Sequence, residues 1–222
     1  MKLYSYFRSS AAFRVRIALA LKGLPYDYAA VHLVRGEHLQ PEYRGLHPDG
    51  LVPALVTAGE VLTQSMAIME YLDEVHPEPR LLPVDALERA KVRALAQSIA
   101  CDIHPLNNLR VLKYLKGDMK LDEAAKEQWY HHWTRRGLEA FEQQLAGLDT
   151  WQRQRGLPVP ETFCFGMSPT LADCCLVPLI FNAKRFAVSL EGLPRTMAAF
   201  DACMALESFQ SASPEACPDG KV

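Results

Sequence analysis

Hydrophobic and polar positions change period several times along the chain, and each change marks an element. Residues 2–7 hold Leu3, Tyr4 and Tyr6 in a short run of β-formers that predicts a strand. From Ser9 and Ser10 the pattern turns helical. In AAFRVRIALALKG, Ala12, Val15 and Leu19 share one face and Gly23 is a stop signal. Residues 26–33 read as a second strand, and 35–48 as a polar stretch with short helical pieces. Residues 52–57 and 60–63 form two more short strands turning at Gly59, a hairpin pattern. Ser65 opens the helix SMAIMEYLDEVHP, which ends near His76 and Pro77.

The order β-α-β followed by β-β-α predicts a thioredoxin-like mixed sheet with helices on both faces. Pro53 then belongs at the start of the third strand, where a missing N–H is tolerated. Thioredoxin-like folds carry a cis proline there. The three prolines of PEPRLLPVDA read as an interdomain linker. Beyond it, 87–115, 121–148, 170–187 and 194–210 are helical, and no strand pattern follows residue 88. The expected architecture is an α/β thioredoxin-like domain over 1–82 and an all-α domain over 88–222. Pro105 should kink the first long helix near His104, and Pro178 the third. Thr170 and Asp173 form a capping box opening a helix that is apolar nearly all round. Residues 150–163 read as an exposed loop and 211–222 as a frayed tail.

Composition narrows the function classes. At 222 residues, 49% hydrophobic and 23% charged, the chain is an ordinary globular sequence. A net charge of −2, with no basic and aromatic interleaving, argues against nucleic acid. No apolar run is long enough to span a membrane. The start, MKLYSYFRSS, lacks the apolar core of a secretory signal, so the cytoplasm is expected. The six cysteines have no C-x-x-C spacing, so neither zinc nor disulfide exchange is indicated, and free thiols are expected. P-loop, dinucleotide-fingerprint, zincin and nucleophile-elbow patterns are all missing.

Three places could carry chemistry. Arg8-Ser9-Ser10 sits at a strand-to-helix turn, where helix N–H groups and a hydroxyl favour an anion such as a thiolate. Gln64-Ser65 opens another helix and could clasp a carboxylate. Both serines serve equally well as simple N-caps. Val52, before Pro53, could pair with a bound peptide as an added strand does. In HPLNNLR, His104 and Asn108 share a helix face beside Arg110, although a solvated polar stripe has the same pattern. Arg8, at the end of a strand, and Arg185, after the apolar helix, are singly unremarkable, although arginine suits bidentate carboxylate recognition.

Taken together, YFRSSAAFRVRIALALKG, LVPAL, QSMAIMEYLDE, RLLP, HPLNNLR, SPTLADCCLVP and NAKRF resemble the zeta class of glutathione transferases over about residues 1–210. The resemblance implies a two-domain fold, a homodimer and a glutathione site. It makes Ser9 the hydroxyl donor to the glutathione sulfur, beside Ser10. His38, Val52, Gln64 and Ser65 would hold the tripeptide, with His104, Asn108 and Arg110 closing the site from the α domain. Arg8, Arg110 and Arg185 would clamp a second, diacid substrate. Ala11 stands where the signature has a cysteine, as in the bacterial glutathione-dependent maleylpyruvate isomerase branch. Isomerisation needs one thiol, which glutathione supplies. The implied reaction is cis–trans isomerisation of maleylacetoacetate or maleylpyruvate, without a metal. Conjugation or dehalogenation of small α-haloacids uses the same thiolate, and a non-enzymatic interaction module shares the fold.

Overall fold

The computed structural model describes residues 1–159 and 162–220. Strands are β1 (Lys2–Ser5), β2 (Asp27–Ala30), β3 (Ala54–Thr57) and β4 (Glu60–Thr63). Helices are α1 (Ser10–Leu21), α2 (Pro41–Arg44), α3 (Ser65–Val75), α4 (Ala86–Gln97), α5 (Leu109–Gly117), α6 (Glu123–Gln154), α7 (Leu171–Arg185), α8 (Pro194–Met204) and α9 (Glu207–Ser211). They form two compact units, Met1–Leu81 with Met204–Val222, and Leu82–Cys203.

In the first unit the sheet order is β2-β1-β3-β4, with β1–β2 parallel and the other pairs antiparallel. This is the thioredoxin-like mixed sheet. Leu3 pairs with Tyr28 on one side and Leu55 on the other, and both leucines are fully buried. Helix α1 is buried from Ala12 to Leu19, arginines included, so it is a core helix rather than an amphipathic one. Against it packs α3, through Ile68, Met69 and Leu72. The segment read as a linker is clamped. Lys22 Nζ donates to Asp73 at 2.8 Å and to the carbonyls of His76 and Pro79 at 2.7 and 2.8 Å, and Asp73 also accepts the Leu81 N–H.

The tail expected to fray instead packs against this unit. Arg16 Nε donates to the Ala212 carbonyl at 2.9 Å, and Asp219 accepts the Tyr28 hydroxyl at 2.7 Å. A composition rich in Ser, Pro and Gly signals irregular backbone, and says nothing about what that backbone packs on.

In the second unit α7 is buried along nearly its whole length, from Leu171 to Ile180. Pro178 lies inside it, and the helix continues to Arg185. Its capping box is formed. Asp173 accepts the Thr170 N–H and hydroxyl at 2.7 and 2.8 Å, and the Cys164 N–H at 2.8 Å. Helix α6 is longer than expected and buries Tyr130, Thr134, Leu138, Phe141, Leu145 and Leu148 at steps of three or four. It absorbs 150–154 of the expected loop, and Pro160 and Glu161 of that loop lie outside the described residues. The single helix expected over 87–115 is two. After α4 the chain widens into a π turn (Ser98–Ile103), tightens into a 3₁₀ turn (His104–Asn107) and leaves helical geometry at Asn108, φ −64° and ψ 147°. Pro105 supplies no N–H, and its ring crowds the carbonyl one turn back, so the ladder shifts and then ends. Likewise 194–210 is split between α8 and α9, with Leu206 extended.

Candidate functional site

The sheet register draws the sequence candidates of the first unit together. Tyr4 pairs with Ala54, Ala54 with Thr63, and Ser5 with Ala30. The chain leaving β1 toward Ser9, the Val52–Pro53 segment entering β3, and Gln64 leaving β4 therefore all lie at one end of the sheet. The loop after β2, which leads to His38, emerges at that end too.

Ser9 caps α1 with φ −75° and ψ 116°, and its Oγ accepts the Ala12 N–H at 3.2 Å. With that oxygen used as an acceptor, the hydroxyl proton is available to a ligand. Ser9 is half-buried and Ser10 buried. Gln64 takes φ +68°, a region that residues with a Cβ rarely occupy, immediately before α3 begins at Ser65. Held strain of this kind clusters where a backbone must present itself to a ligand. Ser65 Oγ accepts from Arg14 Nη1 at 3.2 Å, which ties the starts of α1 and α3 together. Val52 is buried beside Tyr6, Ala12 and Tyr43, and the Val52–Pro53 bond is cis, as in thioredoxin-like folds. The Tyr43 hydroxyl donates to the Leu51 carbonyl at 2.5 Å and fixes this approach. His38 lies on the 3₁₀ turn Glu37–Leu39, and Gly50 passes so close to its carbonyl that a Cβ would sit 2.7 Å from it.

Arg8, immediately before Ser9, is exposed. Its guanidinium lies 4.8 Å from the Phe7 ring centre and lines a cleft of about 310 Å³ on the β2 side, with His32, Arg35, Glu37 and Asp219.

In the second unit, the break at residue 108 presents the other candidates. Asn108 Oδ1 caps α5 by accepting the Arg110 N–H at 3.1 Å, while its amide nitrogen is 3.4 Å from His104 Nε2. Helix α6 anchors this turn. Trp129 Nε1 donates to the Leu106 carbonyl at 2.9 Å and Asn107 to Thr134 Oγ1 at 2.7 Å. The Gly137 Cα meets Ile103 so closely that a Cβ would collide with it. Arg185 ends α7, exposed, 4.9 Å from the Phe186 ring centre, which in turn stacks at 4.2 Å on Tyr130. Burial pushes the Tyr130 phenol up to about 12, against the pull of Arg185, so it stays neutral.

Sequence reading missed Arg14 and Arg16, which are 2% and 1% exposed. The available signal was two arginines inside an otherwise apolar helix. No thiol sits at the Ser9 turn. Cys164, Cys203 and Cys217 all have thiols pushed up by burial, and Cys101 is exposed on the π turn. Among the described residues no three His, Cys, Asp or Glu side chains cluster to hold a metal.

Residues 1–74 match the glutathione S-transferase N-terminal domain family. The chain is 48% identical to a maleylpyruvate isomerase of Ralstonia over 219 residues, 99% of each chain. With a maleylacetoacetate isomerase of Pseudomonas aeruginosa it shares 47% over 222 residues, 99% of this chain and 98% of the relative. The chain belongs to the zeta-class glutathione transferases. Within that family, a holo structure of a bacterial maleylpyruvate isomerase superposes with a TM-score of 0.92 at 47% identity, covering 99% of both chains. A maleylacetoacetate isomerase of Anaeromyxobacter dehalogenans, solved with dicarboxyethyl glutathione and citrate in its active site, gives 0.83 at 42%, covering 99% and 93%.

Proposed function

We propose that this chain isomerises a maleyl diacid, of the maleylacetoacetate and maleylpyruvate type, to its fumaryl isomer with glutathione as cosubstrate. The observation that carries the reading is the meeting of the Ser9 and Ser65 helix starts with the Val52–Pro53 segment at one end of the sheet. Such a place suits a short anionic peptide. The Val52–Pro53 segment pairs with its backbone, and the helix starts favour its carboxylate and thiolate.

Ser9 donates its hydroxyl proton to the glutathione sulfur, beside Ser10. His38, Val52, Gln64 and Ser65 hold the tripeptide, and the family resemblance assigns His104, Asn108 and Arg110 to glutathione as well. The thiolate adds to one alkene carbon and the electron pair moves to the conjugated carbonyl as an enolate. The former double bond is now single and rotates. Collapse of the enolate expels the thiolate and restores the alkene as trans, with no net gain or loss of protons. Arg8, Arg110 and Arg185 take the diacid carboxylates and the enolate charge. A dicarboxyethyl group, as on the glutathione bound by the relative, has the skeleton left when a nucleophile adds across a butenedioate. We place the protein in the cytoplasm as a homodimer, with neither nucleic acid nor membrane as partner. No helix among the described residues is long and apolar enough to cross a membrane.

The test is turnover of maleylacetoacetate and maleylpyruvate side by side, with and without glutathione. Expected are a fumaryl product and glutathione recovered unchanged. Equal turnover without glutathione, or a stable conjugate as product, overturns the proposal. Arg185→Ala should lower kcat/KM for the diacid about ten- to a hundredfold, one charged contact, and leave glutathione affinity nearly intact. Loss of glutathione binding instead removes Arg185 from the substrate side.

A further inference from the structure

Strand β1 ends at Ser5 and β2 at Ala30, so the sheet offers no partner to the backbone of Phe7, two residues before Ser9. The C-terminal segment supplies one. Asp219 Oδ2 accepts the Phe7 N–H at 3.2 Å, and its Oδ1 accepts the Tyr28 hydroxyl from β2 at 2.7 Å. The Phe7 carbonyl accepts from Arg16 Nη2 at 3.1 Å. The same guanidinium reaches Ser5 Oγ at 3.0 Å and the Ala212 carbonyl at 2.9 Å. Both backbone polar groups of Phe7 are thus held, one by the tail and one by a buried arginine that also grips the tail. The turn then closes with the Ser9 N–H donating to the Tyr6 carbonyl at 2.9 Å. Gly220 packs against the Phe7 ring where a Cβ would collide with the Pro214 carbonyl, so the tail is seated tightly.

We infer that Asp219 is a positioning residue for the reaction, holding the Phe7–Arg8–Ser9 turn so that the Ser9 hydroxyl meets the glutathione sulfur. This rests on the reading of Ser9 as the thiolate's donor. A carboxylate that accepts one hydrogen bond from β2 and one from the turn after β1 behaves as a bracket, and a thiolate donor loses strength steeply when its direction drifts.

The experiment uses full-length wild type, Asp219→Ala, Asp219→Asn and Tyr28→Phe. Each is followed by kcat, by KM for glutathione and the diacid, by the pH titration of the bound thiolate's ultraviolet absorbance, and by thermal unfolding. Wild type without any glutathione dependence refutes the isomerase reading itself, before the tail is in question. With that dependence present, Asp219→Ala should lose roughly tenfold in kcat and shift thiolate formation to higher pH, with the diacid KM little changed. Asp219→Asn keeps an acceptor for the Phe7 N–H and should recover most of the loss. A folded Asp219→Ala with unaltered kcat and thiolate titration overturns the inference, as does an Asp219→Asn no better than Asp219→Ala. If Asp219→Ala does not fold, Tyr28→Phe carries the test. It loosens one side of the bracket and should move both readouts in the same direction by less, and no movement refutes the role.

Discussion

Ser9 has two separable duties, and substitution can divide them. Its Oγ accepts the Ala12 N–H as the cap of α1, and its hydroxyl proton is proposed to stabilise the glutathione thiolate. Ser9→Ala removes both. Loss of the cap costs about 1 kcal/mol of stability. Loss of one hydrogen bond to a charged sulfur costs about 1.5–3 kcal/mol, which raises the bound thiol's pKa by about one to two units. Ser9→Asp keeps the cap acceptor and adds charge. A carboxylate about 4 Å from the thiolate, at an effective dielectric near 20, opposes ionisation by about 4 kcal/mol, or about three units. Ser9→Thr keeps both duties. Thermal unfolding together with the pH–rate profile separates the effects. Ser9→Asp should melt close to wild type yet titrate its thiol furthest upward, Ser9→Ala should melt lower and titrate its thiol upward by less, and Ser9→Thr should change in neither measurement. A Ser9→Asp enzyme with the wild-type pH profile would show that Ser9 only caps the helix.

Two other expectations follow from buried polar groups. Asp173 is fully buried and takes three short hydrogen bonds, so Asp173→Ala should destabilise the chain by about 3–5 kcal/mol in denaturant unfolding. Asp173→Asn should recover only part of that, because its amide must face either the Cys164 or the Thr170 N–H, and full recovery would refute the bracing role. Burial lowers the pKa of His47 from 6.5, although Asp49 pulls the other way, so the folded imidazole resists a proton that the unfolded one accepts. Stability from this group is present above about pH 6.5 and is lost as the pH falls toward the depressed value. The melting temperature of wild type should therefore fall more steeply below pH 6.5 than that of His47→Gln. Parallel slopes would exclude the histidine.

Local features were legible in the amino-acid order because they depend on residues within one turn of each other. The four strands, the cap at Ser9, the capping box at Thr170 and Asp173, and the buried stretch of α7 all came from spacing and propensity. So did the grouping of candidates at helix starts, each of which is a turn residue followed by an apolar run. Two kinds of feature were not legible. The break over 98–108 needed more than Pro105, which by itself removes one hydrogen bond and predicts a kink. The close pass of α6 at Gly137 and the bonds from Trp129 and Asn107 hold the opened turn in place. The tail was the other. Asp219 and Phe7 are 212 positions apart, and no period or composition joins them.

By itself the sequence determined which residues could cap, bend and bury, since those tendencies act over a few bonds. Only the tertiary structure decided which of them face one another. Strand register brought Ser9, Val52 and Gln64 to one end of the sheet, and the buried Arg16 and Asp219 satisfied the Phe7 backbone that the sheet leaves unpaired there. A buried N–H or carbonyl must find a partner wherever the folded chain offers one, and the linear order does not record where that is.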